Sequence, residues 1–441
     1  MRLRSARLEA LLGAPLEQVT ELQLQGLIDG QVEEDADLDF KIKPYDTNDN
    51  GKDNLASDVA AMANSRGGLI IIGIGENAHS QAGSLAPAPL RSDEAARIQQ
   101  ILAARVAPLP ETDVRTISSE DDPTLGWTLI ATAASARAPL AVRSGSALRY
   151  SIRVGSTTRH LSEPEVAAAY RDRDRRQQQR VDRILQVQHV GEQRLHRRAD
   201  PWLVLTAVPE LAGRFPITTD SFAAMKAALA GHDIGSVLPL NGALFRIGVG
   251  KRRIWASGEL QDTESSTLAQ YEFFDDGSSS LAAIVPSMKR DDSDTARRIL
   301  TINDAGIVRG LVNAVHRAAE HAARSDAGGE LLLTARLLVP QQIDDLVVAH
   351  WDGNFSHPRG SVKGIPEDLE ADVVAPIDGL LQPTGFLFAV AAALGDQLAQ
   401  GIGLAELGYV GQDGSLIGGA WSSGDLTRLR PFAAPVDLAA T

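Results

Sequence analysis

The sequence predicts an α+β chain of two domains joined by a helical segment, and three observations carry that expectation. Residues 37–43 and 147–154 alternate apolar and polar side chains with a period of two, the pattern of half-buried strands. Residues 16–29 and 53–65 space their apolar side chains at helical intervals. At 441 residues the chain is also longer than one ordinary core encloses.

In chain order, LEQVTELQLQGLID (16–29) places Leu16, Val19 and Leu27 on one helical face and ends near Gly30, so residues 1–30 read as a helical arm. From Asp37 a strand sends Leu38, Phe40 and Ile42 one way and Asp37, Asp39, Lys41 and Lys43 the other, until Pro44 stops it. DNLASDVAAMANS sets Leu55, Val59 and Met62 at i, i+4 and i+7 and closes at Gly67-Gly68. Leu69–Ile74 (LIIIGI) is apolar without alternation, which predicts a strand covered on both faces. A helix over Ser92–Val106 and strands near Val114–Ile117 and Trp127–Thr132 follow. ALRYSIRV (147–154) is expected to bury Leu148, Tyr150, Ile152 and Val154 and to expose a basic face of Arg149, Ser151 and Arg153. Ser162-Glu163-Pro164-Glu165 has the form of a capping box, so a helix starts there. It leads into a basic linker, 171–199, in which nine arginines face four acids over 171–198.

The second α+β domain is expected over 200–425 and a tail over 426–441. Its elements are a strand from Trp202, hairpins at Gly248–Lys251 and Asp276-Gly277, a helix over Asp304–Arg324, a strand over Glu330–Leu338 and an apolar helix near 385–400.

Composition excludes several functions. With no cysteine there is no disulfide, zinc thiolate or cysteine nucleophile, and a reducing, cytoplasmic location fits. Glu9 and Glu17 interrupt the amino terminus before an apolar signal sequence can form, and the longest apolar run, Gly385–Leu394, is about half a membrane span. A net charge of −14 argues against coating nucleic acid by bulk charge and leaves room for a local basic groove.

Some motifs fail on context. Gly73-Ile74-Gly75 follows a strand as a dinucleotide fingerprint would, but a proline-bearing loop stands where the helix belongs. Asp46–Gly51 resembles half a calcium loop but has Ser57 where a bidentate Glu is needed. His350, Asp352 and His357 have no zincin spacing, and His316 and His321 do not share a helical face. The acidic run EEDADLDFK is more informative: Glu34, then Asp39 with Lys41 two residues on, is the acid-x-lysine geometry in which carboxylates hold Mg²⁺ or Mn²⁺ against a phosphodiester and the lysine stabilises developing charge. The plain alternative is a solvated acidic strand edge.

Taken together, EDADLDFK, DVAAMANSRGGLIIIGIGEN and YSIRVGSTTRHLSEPEV resemble the Schlafen-type AlbA domain, often labelled DNA-binding or ATP-binding. The resemblance spans about residues 20–170 and makes 31–170 the domain in question. It implies engagement of nucleic acid. In the animal Schlafen ribonucleases it further implies a trio of acids that cleave transfer RNA with a metal; Glu34 and Asp39 match the first two, and Glu76, or Gly75 in another alignment, stands at the third. The zinc ligands of those proteins have no counterpart here, and a homodimer would supply their second lobe. Arg149, Arg153 and Arg159 are the candidate phosphate contacts, and on that reading Arg153→Ala weakens binding and flattens its salt dependence. Three readings stay open: a Mg- or Mn-dependent endoribonuclease using Glu34, Asp39, Glu76 and Lys41; a non-catalytic DNA- or RNA-binding protein; and an ATP-binding protein, for which no Walker loop is present.

Overall fold

The computed structural model of the protein describes residues 5–195, 200–230, 244–259, 267–352, 355–366, 369–382, 384–411 and 413–429. The chain divides into two compact units, Met1–Gln179 and Arg180–Thr441, with the boundary inside the helix Glu163–Glu192.

In the first unit the strand Leu38–Lys41 lies parallel to Gly67–Ile72, which runs antiparallel to Leu125–Ala133. That strand in turn pairs with Thr112–Ser118 and Ala88–Pro89. The apolar run at 69–72 does not alternate because helices cover both faces of the sheet. Helices Ala6–Leu12 and Glu21–Asp29 bury Leu38, Phe40, Leu69, Ile71 and Trp127; helices Asp49–Ala63 and Glu94–Arg105 bury Ile70, Ile72 and Ile130. The turn into the central strand requires glycine. Gly67 has φ +76°, and a Cβ on Gly68 would collide with Met62 Sδ and meet the Asp37 carbonyl at 2.6 Å.

The structure resolves three local readings. The helix after Pro44 begins at Asp49, and Asn48 caps it, its Oδ1 accepting from the Gly51 N–H at 2.8 Å; the half calcium loop is a helix N-cap. Gly73, at φ +102°, turns the chain into Ile74–Glu76, which forms a hairpin with Ala82–Leu85, so no helix N-terminus faces that glycine. Residues 147–154 break into Ala147–Arg149 and Ser151–Val154, each in a different short ladder. The expected face is only partly kept: Arg149 is exposed and Tyr150 and Ile152 half-buried, but Ser151 and Arg153 point inward, while Leu148 and Val154 are 59% and 55% exposed. A short ladder buries little apolar area, so a buried carboxylate partner for Arg153 outweighs the apolar alternation.

The second unit holds a seven-stranded antiparallel sheet whose order is Leu244–Gly250, Arg253–Glu259, Thr267–Phe274, Ser279–Ile284, Trp202–Leu211, Gly328–Leu338 and Glu370–Pro376. A four-stranded sheet joins Ser287–Asp291, Arg298–Asn303, Asp345–Asp352 and Phe355–Lys363. The helices Asp304–Arg324 and Phe386–Gln400 share one core with these sheets, and the apolar run near 385 is a buried core helix. Among the described residues no helix is long and apolar enough to cross a membrane. The expected tail starts inside the helix Ser423–Leu429, and residues 430–441 lie outside the described residues, as do 196–199 of the expected linker.

Candidate functional site

The acidic strand does not lie on a solvated edge. Leu38 and Phe40 anchor one face in the core, which turns Asp39 and Lys41 toward the helix Asp49–Ala63 and leaves Asp39 2% exposed. A carboxylate this buried needs compensating charge. Arg153 donates from Nη1 to Asp39 Oδ1 at 2.8 Å, with both side chains 2% exposed, and Lys41 Nζ lies 2.6 Å from Asp39 Oδ2. The second terminal nitrogen of Arg153 donates to the carbonyls of Asp35 at 3.1 Å and Leu38 at 3.3 Å, tying the turn before the strand to the guanidinium.

Two further acids complete the cluster. Glu34 accepts from the Phe40 N–H at 2.6 Å, and its carboxyl is pushed up to about 7, by burial first and then by the negative charges of Asp39 and Glu76, against the pull of that backbone bond. Asp58 accepts from Tyr45 Oη at 2.8 Å and lies 3.9 Å from Lys41 Nζ. Burial raises its carboxyl, partly offset by Lys41. The ammonium of Lys41 is lowered by burial, but Asp39 and then Asp58 and Glu34 outweigh this and raise it overall. With Glu34 protonated, two carboxylates face two cations and the cluster is neutral.

The structure therefore gathers Glu34, Asp39 and Lys41 and brings Glu76 within electrostatic reach of Glu34, but Glu76 itself sits exposed at the end of its strand. Among the described residues no three His, Cys, Asp or Glu side chains are arranged to hold a metal ion. A divalent ion at Asp39 would have to displace Lys41 or Arg153 from its two oxygens, and Glu34 would have to lose a proton it holds up to about 7. The residues present do not fit a metal in this arrangement.

The three arginines separate. Arg153 is spent inside the protein and offers phosphate nothing in this conformation. Arg159 is exposed and grips Glu165 through two bonds of 3.0 and 2.8 Å, while Glu165 also accepts from Ser162 as the capping box predicts; Arg159 and then Ser162 hold the Glu165 carboxyl down to about 2. Arg149 is exposed on an edge strand. Next to it in sequence, Tyr150 meets Tyr170 edge to face with centroids 6.3 Å apart, and Arg173 lies over the Tyr170 ring at 4.9 Å. This cation and aromatic surface was not legible in the sequence, because Tyr170 and Arg173 come from the following helix. Asp58 had a signal: an acid set between Leu55 and Val59 on the apolar face of its helix.

A cavity of about 650 Å³ lies nearby in the same unit, with Ala138, Pro139, Ile152, Leu161 and Ala168 among its lining. The Asn64 amide at its edge is engaged by Leu140 and Ser151, and Arg175 and Arg176 also line the cavity.

The first unit thus combines a buried ion-pair cluster with a half-buried tyrosine pair and an exposed Arg149. Its residues 34–162 match the family described as Schlafen, AlbA_2, so this segment is a Schlafen AlbA-type domain, which ties the unit at family level to nucleic acid. No curated protein matches the chain. Among solved structures, the crystal structure of the DIP2311 protein from Corynebacterium diphtheriae is 20% identical over 38% of this chain and 29% of that one, with a TM-score of 0.24. The chain thus spans well under half of that protein.

Proposed function

We propose that the first unit binds single-stranded nucleic acid on the surface formed by Arg149, Tyr150, Tyr170 and Arg173, and that its acidic strand maintains the fold instead of holding a catalytic metal. The observation that carries this reading is the tyrosine pair with Arg173 over the Tyr170 ring, together with the exposed Arg149 that precedes Tyr150 in sequence. Bases stack on aromatic rings whatever their sequence, and unpaired cations neutralise phosphates. The closed pairing of Asp39 supports binding over metal-dependent cleavage.

Arg149→Ala is expected to weaken binding of single-stranded RNA or DNA several-fold and to lower the salt slope by about 1, as loss of one phosphate contact does. Fluorescence anisotropy over a series of salt concentrations measures both, and an unchanged slope removes Arg149 from the interface. Cleavage is tested by incubating the protein with transfer RNA, single-stranded RNA and duplex DNA in Mg²⁺, Mn²⁺ or EDTA, beside Glu76→Gln and Asp39→Asn. Binding without metal-dependent fragments is the expected result. Fragments that need metal and vanish in Glu76→Gln, whose exposed side chain has no part in the buried pairing, would establish the nuclease and overturn the structural role given to the acids.

A further inference from the structure

The histidines at 350 and 357 had no recognisable spacing in the sequence, and the second unit gives them one. The strands Asp345–Asp352 and Phe355–Lys363 pair antiparallel in a register that sets His350 directly opposite His357. Residues opposed in this way share a face, with Cβ atoms about 5 Å apart. His350 is partly exposed and His357 exposed, so both rings are open to solvent.

What lies behind His350 is built with care. Its Nδ1 is 2.8 Å from Tyr409 Oη, and that hydroxyl donates to Asp304 Oδ1 at 2.6 Å. Asp304 is fully buried at the start of its helix, and Arg359 Nη1 donates to its other oxygen at 2.9 Å. Arg359 is free to turn there because it is the extra residue of a β-bulge: Val348 pairs with Gly360 and Ala349 with Pro358, and the residue between is re-aimed. Because the Tyr409 hydroxyl donates to Asp304, its oxygen is left to accept from His350, which favours the neutral tautomer with hydrogen on Nδ1 and Nε2 as the ring's acceptor.

We propose that His350 Nε2 and His357 bind one late first-row divalent cation, such as Zn²⁺, Ni²⁺ or Cu²⁺, at the solvent-accessible end of this hairpin. Imidazole nitrogens suit these ions, and a metal-bound histidine is characteristically oriented by a hydrogen bond from its other nitrogen, the role Tyr409 and Asp304 fill here. No third His, Asp or Glu among the described residues joins the pair, so water or an exchangeable ligand takes the remaining positions. That open coordination belongs to an exchangeable or reactive site and not to a structural one.

The test uses the full chain without a histidine tag, titrated with Ni²⁺ and Zn²⁺ by calorimetry and with Co²⁺ by its visible absorption. One ion per chain is expected, with affinity falling at acidic pH as protons compete. His357→Ala, an exposed site whose loss leaves the core intact, should weaken binding at least tenfold, and His350→Ala likewise. Tyr409→Phe should weaken it about tenfold by freeing the ring, in line with loss of an outer hydrogen-bond partner. The absence of saturable binding, or binding that is unchanged in both histidine variants, overturns the site; equal affinity in Tyr409→Phe overturns the positioning role of the relay.

Discussion

Arg153→Met should destabilise the first unit by about 3–5 kcal/mol, because removing one partner of a buried ion pair strands the other. Asp39 would keep Lys41 but lose the guanidinium at 2.8 Å, and the carbonyls of Asp35 and Leu38 would lose their donor as well. Hydrogen exchange of the Gly67–Ile72 amides in the intact chain reads the opening free energy of this unit alone, where bulk unfolding would mix the two units. The double variant Asp39→Asn with Arg153→Met should recover part of the loss, since both charges then disappear together. The salt slope for nucleic acid should not change in the folded fraction. A normal exchange rate with a flattened slope would instead return Arg153 to the interface.

Glu34 gives the second large effect, and its sign is opposite to that of an ordinary paired carboxylate. Its folded value of about 7 lies above the usual 4.5, so the folded state holds the proton more tightly than the unfolded chain. Below pH 4.5 both states are protonated and the group contributes no difference. As pH rises from 4.5 through about 7 the unfolded chain releases its proton first, and stability is lost across that window. The loss is on the order of 2 kcal/mol after discounting for solvent screening of a half-buried group. Glu34→Gln keeps an oxygen for the Phe40 N–H and carries no charge, so it should match the native protein near pH 4.5 and exceed its stability by that amount at pH 8. Amide exchange of the same strand across this pH range, corrected for the intrinsic rate, is the measurement. Parallel profiles for the two proteins would show that Glu34 titrates normally.

The hydrophobic pattern carried the elements well. Non-alternation at 69–72 correctly announced a strand covered on both faces, and the helices over 304–324 and 385–400 fall where their apolar spacing put them. It failed at Leu148, Ser151, Arg153 and Val154, which lie on the opposite side from the one period two assigned. Alternation records which residues are apolar, and a buried arginine is paid for by a carboxylate more than a hundred positions away, which no local window contains.

The sequence by itself determined the α+β class, the gathering of acids ahead of the first strand, the capping box at Ser162 and the Schlafen AlbA-type segment, because these depend on residues close together in the chain. Only the tertiary structure decided what the charged groups do. It closed Asp39 between Lys41 and Arg153, left Arg149 exposed, brought Tyr150 against Tyr170, and set His350 across from His357 with a tyrosine and a buried aspartate behind it. The energy of a charge depends on its burial and on partners that only folding brings within about 3 Å, and neither is a property of sequence spacing.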